Sequence, residues 1–196
     1  MEGPKRRDDR APTTAVTKNL WGDEEHNRTQ VTGSSAAVLG GRFVNGIFVA
    51  SSTSLVGVNL TGADLKGCQL FQSDLRGAQL AGANLQRVDL HGSDLRGADL
   101  RDALLDRANL QEADLREAKL EGASMALCNL ERADLRRADL YGVVLMDARL
   151  LFARLEGANL EEATLADVQV RGATYDEKTV FPPSFNPATN AMVKKR

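Results

Sequence analysis

Residues 59–85 read NLTGADLKGCQLFQSDLRGAQLAGANL, with leucine at 60, 65, 70, 75, 80 and 85 and alanine, cysteine or serine two places before each from Leu65 on. The same beat runs from Leu55 to Leu165 and is broken only by Met125. A five-residue step turns an α-helix by about 500°, so leucines at this spacing would build no apolar stripe on a helix. A continuous strand fails as well, because side chains alternate with a period of two and an odd step sends successive leucines to opposite faces. The chain must change direction every five residues. Glycine two places after many leucines, at 62, 67, 77 and 82, suits a tight corner there.

A second period gives the number of corners per turn. Asp-Leu-Arg recurs at Asp74-Leu75-Arg76, Asp94-Leu95-Arg96, Asp114-Leu115-Arg116 and Asp134-Leu135-Arg136, each twenty residues after the last. Four five-residue sides per turn stack these triplets one coil apart, the arrangement of a four-sided solenoid of short strands.

Runs such as Ala63-Asp64-Leu65-Lys66-Gly67 and Ala83-Asn84-Leu85-Gln86-Arg87 resemble the A(D/N)LXX unit of the pentapeptide-repeat family, and the match extends over residues 55–174. The resemblance implies an all-β fold, a right-handed quadrilateral parallel β-helix of about six to seven coils, with leucine and the small residue both facing inward. The 24 inward slots from Val58 to Ala173 hold sixteen alanines, four valines, two cysteines and two serines, and nothing larger. Cys68 and Cys128 fall in such slots three coils apart. At about 4.8 Å per coil their Cα atoms stand about 14 Å apart, beyond the reach of a disulfide. With His26 and His91 as the only histidines, no metal site and no cofactor are expected.

The flanks divide into three parts. Residues 1–37 are polar and are expected to form a flexible arm, with Leu20-Trp21 as an anchor for a partner. Residues 38–54 are expected to make a degenerate first coil or cap, since Phe43 and Phe48 keep the spacing while the leucine positions lapse to Asn45 and Ala50. Residues 175–196 abandon the repeat for aromatics and prolines, which suits a cap followed by a basic tail. The pattern of Thr179, Phe181-Pro182, Phe185 and Pro187 is similar to tails of cyanobacterial and chloroplast pentapeptide-repeat proteins and implies such a context. With no apolar run of the roughly 20 residues a membrane span needs and no apolar segment behind Met1 to Asp9, a soluble cytoplasmic or organelle-internal protein is expected.

Function is therefore expected on the outer walls. One wall carries Asp74, Asp94, Asp114 and Asp134 beside Arg76, Arg96, Arg116 and Arg136, and Arg154-Leu155-Glu156 reverses the signs on the next coil. This suits a lattice of neutralised pairs or a charged docking strip. Aspartate on every rung disfavours nucleic acid. A second surface is oily, with Leu104, Leu127, Tyr141, Val144, Met146, Leu151 and Phe152 on two adjacent walls, and suits a protein partner, a second copy in a homodimer, or a place in a larger assembly. A filled interior leaves no cleft for catalysis, and His91 near Asp89 is an exposed histidine beside carboxylates, so no enzyme is expected. The leading expectation is an interaction or scaffold module. The family resemblance supplies another, a mimic of duplex DNA that acts on a type II topoisomerase such as gyrase. Residues 55–174 hold 19 acidic and 14 basic side chains, a net of −5, against +3 from the flanks, and the arginine columns dilute the acidic face that such mimicry requires.

Overall fold

The computed structural model describes residues 42–44 and 47–195; Trp21 and the rest of residues 1–41 lie outside them. From Ser54 onward each outward residue pairs in parallel with the one twenty places later, Ser54 with Asp74, Asn59 with Gln79, Asp64 with Asn84 and Gln69 with Asp89, and so on to Arg154 with Thr174. Two backbone bonds make each rung. Leu55 N–H donates to Asp74 O at 2.7 Å and Asp74 N–H donates to Thr53 O at 2.9 Å, and the pair repeats at every side of every coil. Four pentads thus close one turn.

Each corner is a β-turn. Ala63 N–H donates back to Leu60 O at 3.0 Å, and the third turn residue, Gly62, has a φ of +64°, as a type II turn requires. From 57 to 172 this position is occupied by 11 glycines and 13 other residues, all with φ between 54° and 74°. The inward leucines from Leu55 to Leu160 are at most 2% exposed, and the alanines beside them are nearly as buried. Polar atoms in the small-residue slots are satisfied by backbone: Ser73 Oγ donates to Ala50 O at 3.1 Å and Ser93 Oγ to Leu70 O at 2.7 Å. Cys68 and Cys128 are buried thiols of the same wall, and burial pushes Cys128 up to about 12, which removes it from thiolate chemistry.

The two ends depart from the repeat. Where a lapsed first coil or a cap was expected, β1 (Arg42–Val44) and β2 (Ile47–Val49) pair antiparallel rather than as a coil, with Arg42 opposite Val49 and Val44 opposite Ile47. The reason is in the sequence: Asn45-Gly46 stands between the two strands, the dipeptide that most favours a two-residue hairpin, and it overrides the five-residue count of the phenylalanines. Val44 and Val49 join the core cluster at its base.

At the other end the count slips from 20 to 21, with Asn159 opposite Val180. Gly157 N–H, whose counterpart Arg137 bonds the carbonyl of Glu156, is met instead by Asp176 Oδ1 at 2.9 Å and Thr179 Oγ1 at 3.2 Å. Beyond the slip, β3 (Thr174–Tyr175) pairs in parallel with β4 (Val193–Lys194). Leu165, Val168, Tyr175, Phe181 and Phe185 pack against the core at this end, partly buried; the Tyr175 and Phe181 rings meet edge-on at 5.6 Å.

The corner position gives a direct test. Gly97 and Glu117 stand on the same corner one coil apart, both with positive φ, and a Cβ on Gly97 would meet no atom within 4 Å. Gly97→Ala is expected to lose about 1 kcal/mol from backbone strain alone, and Glu117→Gly to gain a comparable amount. Urea unfolding midpoints, shifted in opposite directions, are the check.

Candidate interaction surfaces

The parallel ladder sets outward side chains directly above one another, and on one wall this aligns Asp74, Asp94, Asp114 and Asp134. Like charges so placed would repel, and arginines two residues on resolve the conflict. Arg76 grips Asp74 with Nε at 2.8 Å from Oδ1 and Nη2 at 2.7 Å from Oδ2, and Arg116 and Arg136 grip Asp114 and Asp134 in the same way. Arg96 repeats the fork on Asp94. Three of the four forks also reach the aspartate one coil on, Arg76 to Asp94 at 3.8 Å, Arg96 to Asp114 at 3.6 Å and Arg116 to Asp134 at 3.9 Å. Arg154, on the next rung, closes the column against Asp134 at 3.4 Å. The wall is a continuous neutralised zipper, with no bare anionic stripe on it.

The zipper holds three of its carboxyls, Asp74, Asp114 and Asp134, toward the ionised form. The Arg76 guanidinium keeps Asp74 below its ordinary value, and Arg101 does the same for Asp99 on the neighbouring wall. For Asp114 and Asp134 burial pushes upward, and the hydrogen bonds from Arg116 and Arg136 outweigh it.

Two other walls are nearly free of charge along their upper coils. One stacks Leu104, Ser124, Val144 and Thr164. Tyr141 stands on the corner at one side of it and Met146 and Leu127 on the corner at the other. Leu127 N–H donates to Met146 O at 2.9 Å, which fixes these two as neighbours across coils. The next wall carries Asn109, Asn129, Arg149 and Gln169, and its far corner carries Leu151 and Phe152. Of the seven oily residues expected, Leu104, Leu127, Tyr141, Met146 and Phe152 are 42–54% exposed, while Val144 and Leu151 are half-buried. The structure brings all seven onto two walls that share the Met146 and Leu127 corner.

Two features escape the sequence reading. Phe152 lays its ring across Gly172 on the coil above, so near that an added Cβ would come within 2.6 Å of it. And among the 13 non-glycine corner residues with positive φ, only Leu127 and Phe152 are apolar; the sequence signal is an apolar residue at a position otherwise held by glycine or a polar side chain. His91, the remaining histidine among the described residues, has Nδ1 3.0 Å from Gln111 O and faces no nucleophile.

The model of the pentapeptide repeats matches in eight copies, spread over residues 53–92, 83–122, 113–150, 123–161 and 144–174. The chain belongs to the pentapeptide-repeat family. Its tower is the right-handed quadrilateral β-helix of that family. The chain is similar in fold to a trypsin-treated form of QnrB1, a plasmid-mediated fluoroquinolone resistance protein, with 16% identity over 74% of this chain and 89% of that one and a TM-score of 0.51. It is also similar to the pentapeptide repeat protein alr5209 of Nostoc PCC 7120, at 34% identity over 62% of this chain and 84% of that one, TM-score 0.33. A third is HetL, a pentapeptide repeat protein involved in heterocyst differentiation regulation in the same cyanobacterium, at 24% identity over 73% and 85%, TM-score 0.31. No match is found among curated proteins. No helix among the described residues is long and apolar enough to cross a membrane.

The zipper of this pentapeptide-repeat protein makes stability depend on pH. Asp74, Asp114 and Asp134 titrate in the native state below their ordinary 3.8, so the stability they confer is present above that value and is lost as pH falls through the native values. Thermal midpoints are expected to hold down to about pH 5 and to fall between about pH 4 and 2. Asp134→Asn, which removes the carboxyl shared by Arg116, Arg136 and Arg154, lowers the midpoint at neutral pH and makes the acid decline shallower.

Proposed function

We propose that the protein is a non-enzymatic interaction or scaffold module that binds a protein partner through the two oily walls, with Phe152, Leu127 and Met146 at the centre of the contact. The observation that supports this most is the placing of Leu127 and Phe152 in left-handed corners, at φ of 60°, half exposed to water. Beyond the contact of Phe152 with Gly172, a bulky apolar side chain gains little there from the tower itself, and the other non-glycine corners carry polar side chains. The neutralised zipper on the charged wall lies on the far side of the Phe152 corner, where it stays hydrated and keeps the contact to the oily walls. A filled leucine interior and flat walls favour binding over catalysis.

The DNA-mimic reading requires an uncompensated acidic face. Every aspartate of the ladder here carries an arginine fork, and the likeness to QnrB1 is one of fold. A gyrase supercoiling assay is therefore expected to show no inhibition and no protection at micromolar protein. For the favoured reading, crosslinking mass spectrometry in the native cell should place partner links on the oily walls, and Leu127→Asp with Phe152→Asp should abolish them while Arg96→Gln leaves them in place. Links spread evenly over all four walls would overturn it.

A further inference from the structure

The upper end of the tower is covered unevenly. On two walls the cap carries the ladder on: Leu160 N–H donates to Val180 O at 2.8 Å and Val180 N–H to Ala158 O at 3.0 Å, while Val193 N–H donates to Ala173 O at 2.8 Å and Lys195 N–H to Tyr175 O at 2.7 Å. On the walls that end at Thr164 and Gln169 the ladder stops. One coil below, Leu145 N–H donates to Thr164 O, Asp147 N–H to Ala166 O and Leu150 N–H to Gln169 O, while Val143 O and Ala148 O accept from Thr164 and Gln169. The corresponding groups of the last coil are the N–H of Leu165, Asp167 and Val170 and the carbonyls of Ala163 and Val168. None of the five has a hydrogen-bond partner among the described residues.

The cap is held off this edge by its own turns. By the 21-residue count that sets Val180 over Asn159, Phe185 and Asn190 would stand over Thr164 and Gln169. Their N–H groups, which Ala163 O and Val168 O would need, go instead to Pro182 O at 2.9 Å and Pro187 O at 3.3 Å. The core is also thinner here, for Leu165 and Val168 are half-buried where the inward leucines below them are at most 2% exposed.

We propose that this open edge binds an extended, lysine- or arginine-bearing segment of a partner protein, which lays one parallel strand over Thr164, turns above Asp167 and lays a second over Gln169. The site is the end of the tower, distinct from the oily walls, and its contact is main-chain pairing.

The ladder itself specifies the occupant. An uncovered sheet edge is a template for another strand, and the free groups repeat the spacing that each lower coil offers to the coil above it. Small or aliphatic side chains on the inward side of that strand would complete the cover over Leu165 and Val168.

Charge selects the sign. The corners on either side of the Thr164 rung carry Glu161, Glu162 and Asp167, all exposed and without an ion pair among the described residues, and Asp147 lies one coil below Asp167. The nearest cations belong to the other rung: Arg171 at its far corner, and Arg149 beneath Gln169, already paired with Glu131 at 3.2 Å. The first strand therefore enters between acids alone. Two copies joined end to end through this edge would set the same acids against each other, which disfavours a second copy as the occupant.

The test uses the full chain and the peptide KKATVKGATV, which follows the tower's own order of small, outward, aliphatic and two corner residues. Amide hydrogen exchange read by NMR is expected to slow by at least about tenfold at Leu165, Asp167 and Val170 when the peptide is added, with no change at Leu145 and Leu150. The peptide KKAPVKGAPV keeps the charge and lacks the two outward N–H groups, and it should bind at least about tenfold more weakly. So should EEATVEGATV on the unmodified chain, and KKATVKGATV on a chain carrying Glu161→Lys, Glu162→Lys and Asp167→Lys, whose circular dichroism should be unchanged. No slowing at millimolar KKATVKGATV overturns the proposal, as does equal binding of the proline peptide, which would mean adhesion by charge alone. Equal binding of the acidic peptide, or by the lysine-substituted chain, overturns the choice of a basic segment. Slow exchange at the three amides without peptide overturns it as well, in favour of the chain's own flank where it holds at every concentration and of a second copy where it grows as the protein sediments as a dimer. Leu127→Asp with Phe152→Asp should leave peptide binding unchanged, so the edge and the oily walls stand or fall separately.

Discussion

Each coil must spend twenty residues, because every outward residue bonds the residue twenty places on through Leu N–H and the following carbonyl. No coil can stand alone, since one turn has no backbone bonds of its own beyond its corners; stability is shared between neighbours in the manner of repeat arrays. The five-residue corner, the small inward slot and the buried leucine are what the closure demands. A larger inward residue would widen one coil and break register with two others.

The same constraint governs the exterior. Side chains on a parallel ladder stack in line, so a residue type chosen once is confronted with whatever lies about 4.8 Å above and below it. Aspartate can be repeated on four rungs only because each has an arginine at the next corner, turned back as a two-pronged donor. Amides solve the same problem on another wall, where Asn109 Nδ2 donates to Asp89 Oδ1 at 3.0 Å and Asn129 Nδ2 to Asn109 Oδ1 at 3.3 Å. On these two walls the ladder satisfies itself. On the wall of Leu104, Ser124, Val144 and Thr164 only Ser124 finds such a partner, its Oγ donating to Asp106 Oδ1 at 2.6 Å, and the apolar Leu104 and Val144 have most to gain from a second surface.

What the sequence reveals depends on whether the information is periodic. The leucine beat, the twenty-residue triplets and the inward alanines each repeat many times, so the tower, the number of its sides and the zipper of Asp74 to Arg136 are legible in the order of residues alone. Single events are harder to read. The Asn45-Gly46 hairpin signal is plain in itself, yet the spacing of Phe43 and Phe48 imitates one more coil. The slip at Asn159 and Val180 is hidden because the extra residue is absorbed by side chains, Asp176 and Thr179 standing in for a backbone carbonyl. The contact of Phe152 with Gly172 joins residues twenty apart, and it shows only once the corners are known to stack.

The corners also bear on why the oily surface exists. A non-glycine residue in the left-handed region costs about 1–2 kcal/mol. The arginines, glutamates and aspartates at the other non-glycine corners are exposed to water, and Arg132 pairs with Glu112 and Arg137 with Glu117. Leu127 and Phe152 bear the same backbone cost and leave about half their surface wet. Covering a large apolar side chain contributes about 1.5–3 kcal/mol, enough to offset the corner, and the tower covers Phe152 only where its ring crosses Gly172. The remainder is recovered only when something else lies on that corner, so the strain in the bare tower is itself a reason to expect an occupant there.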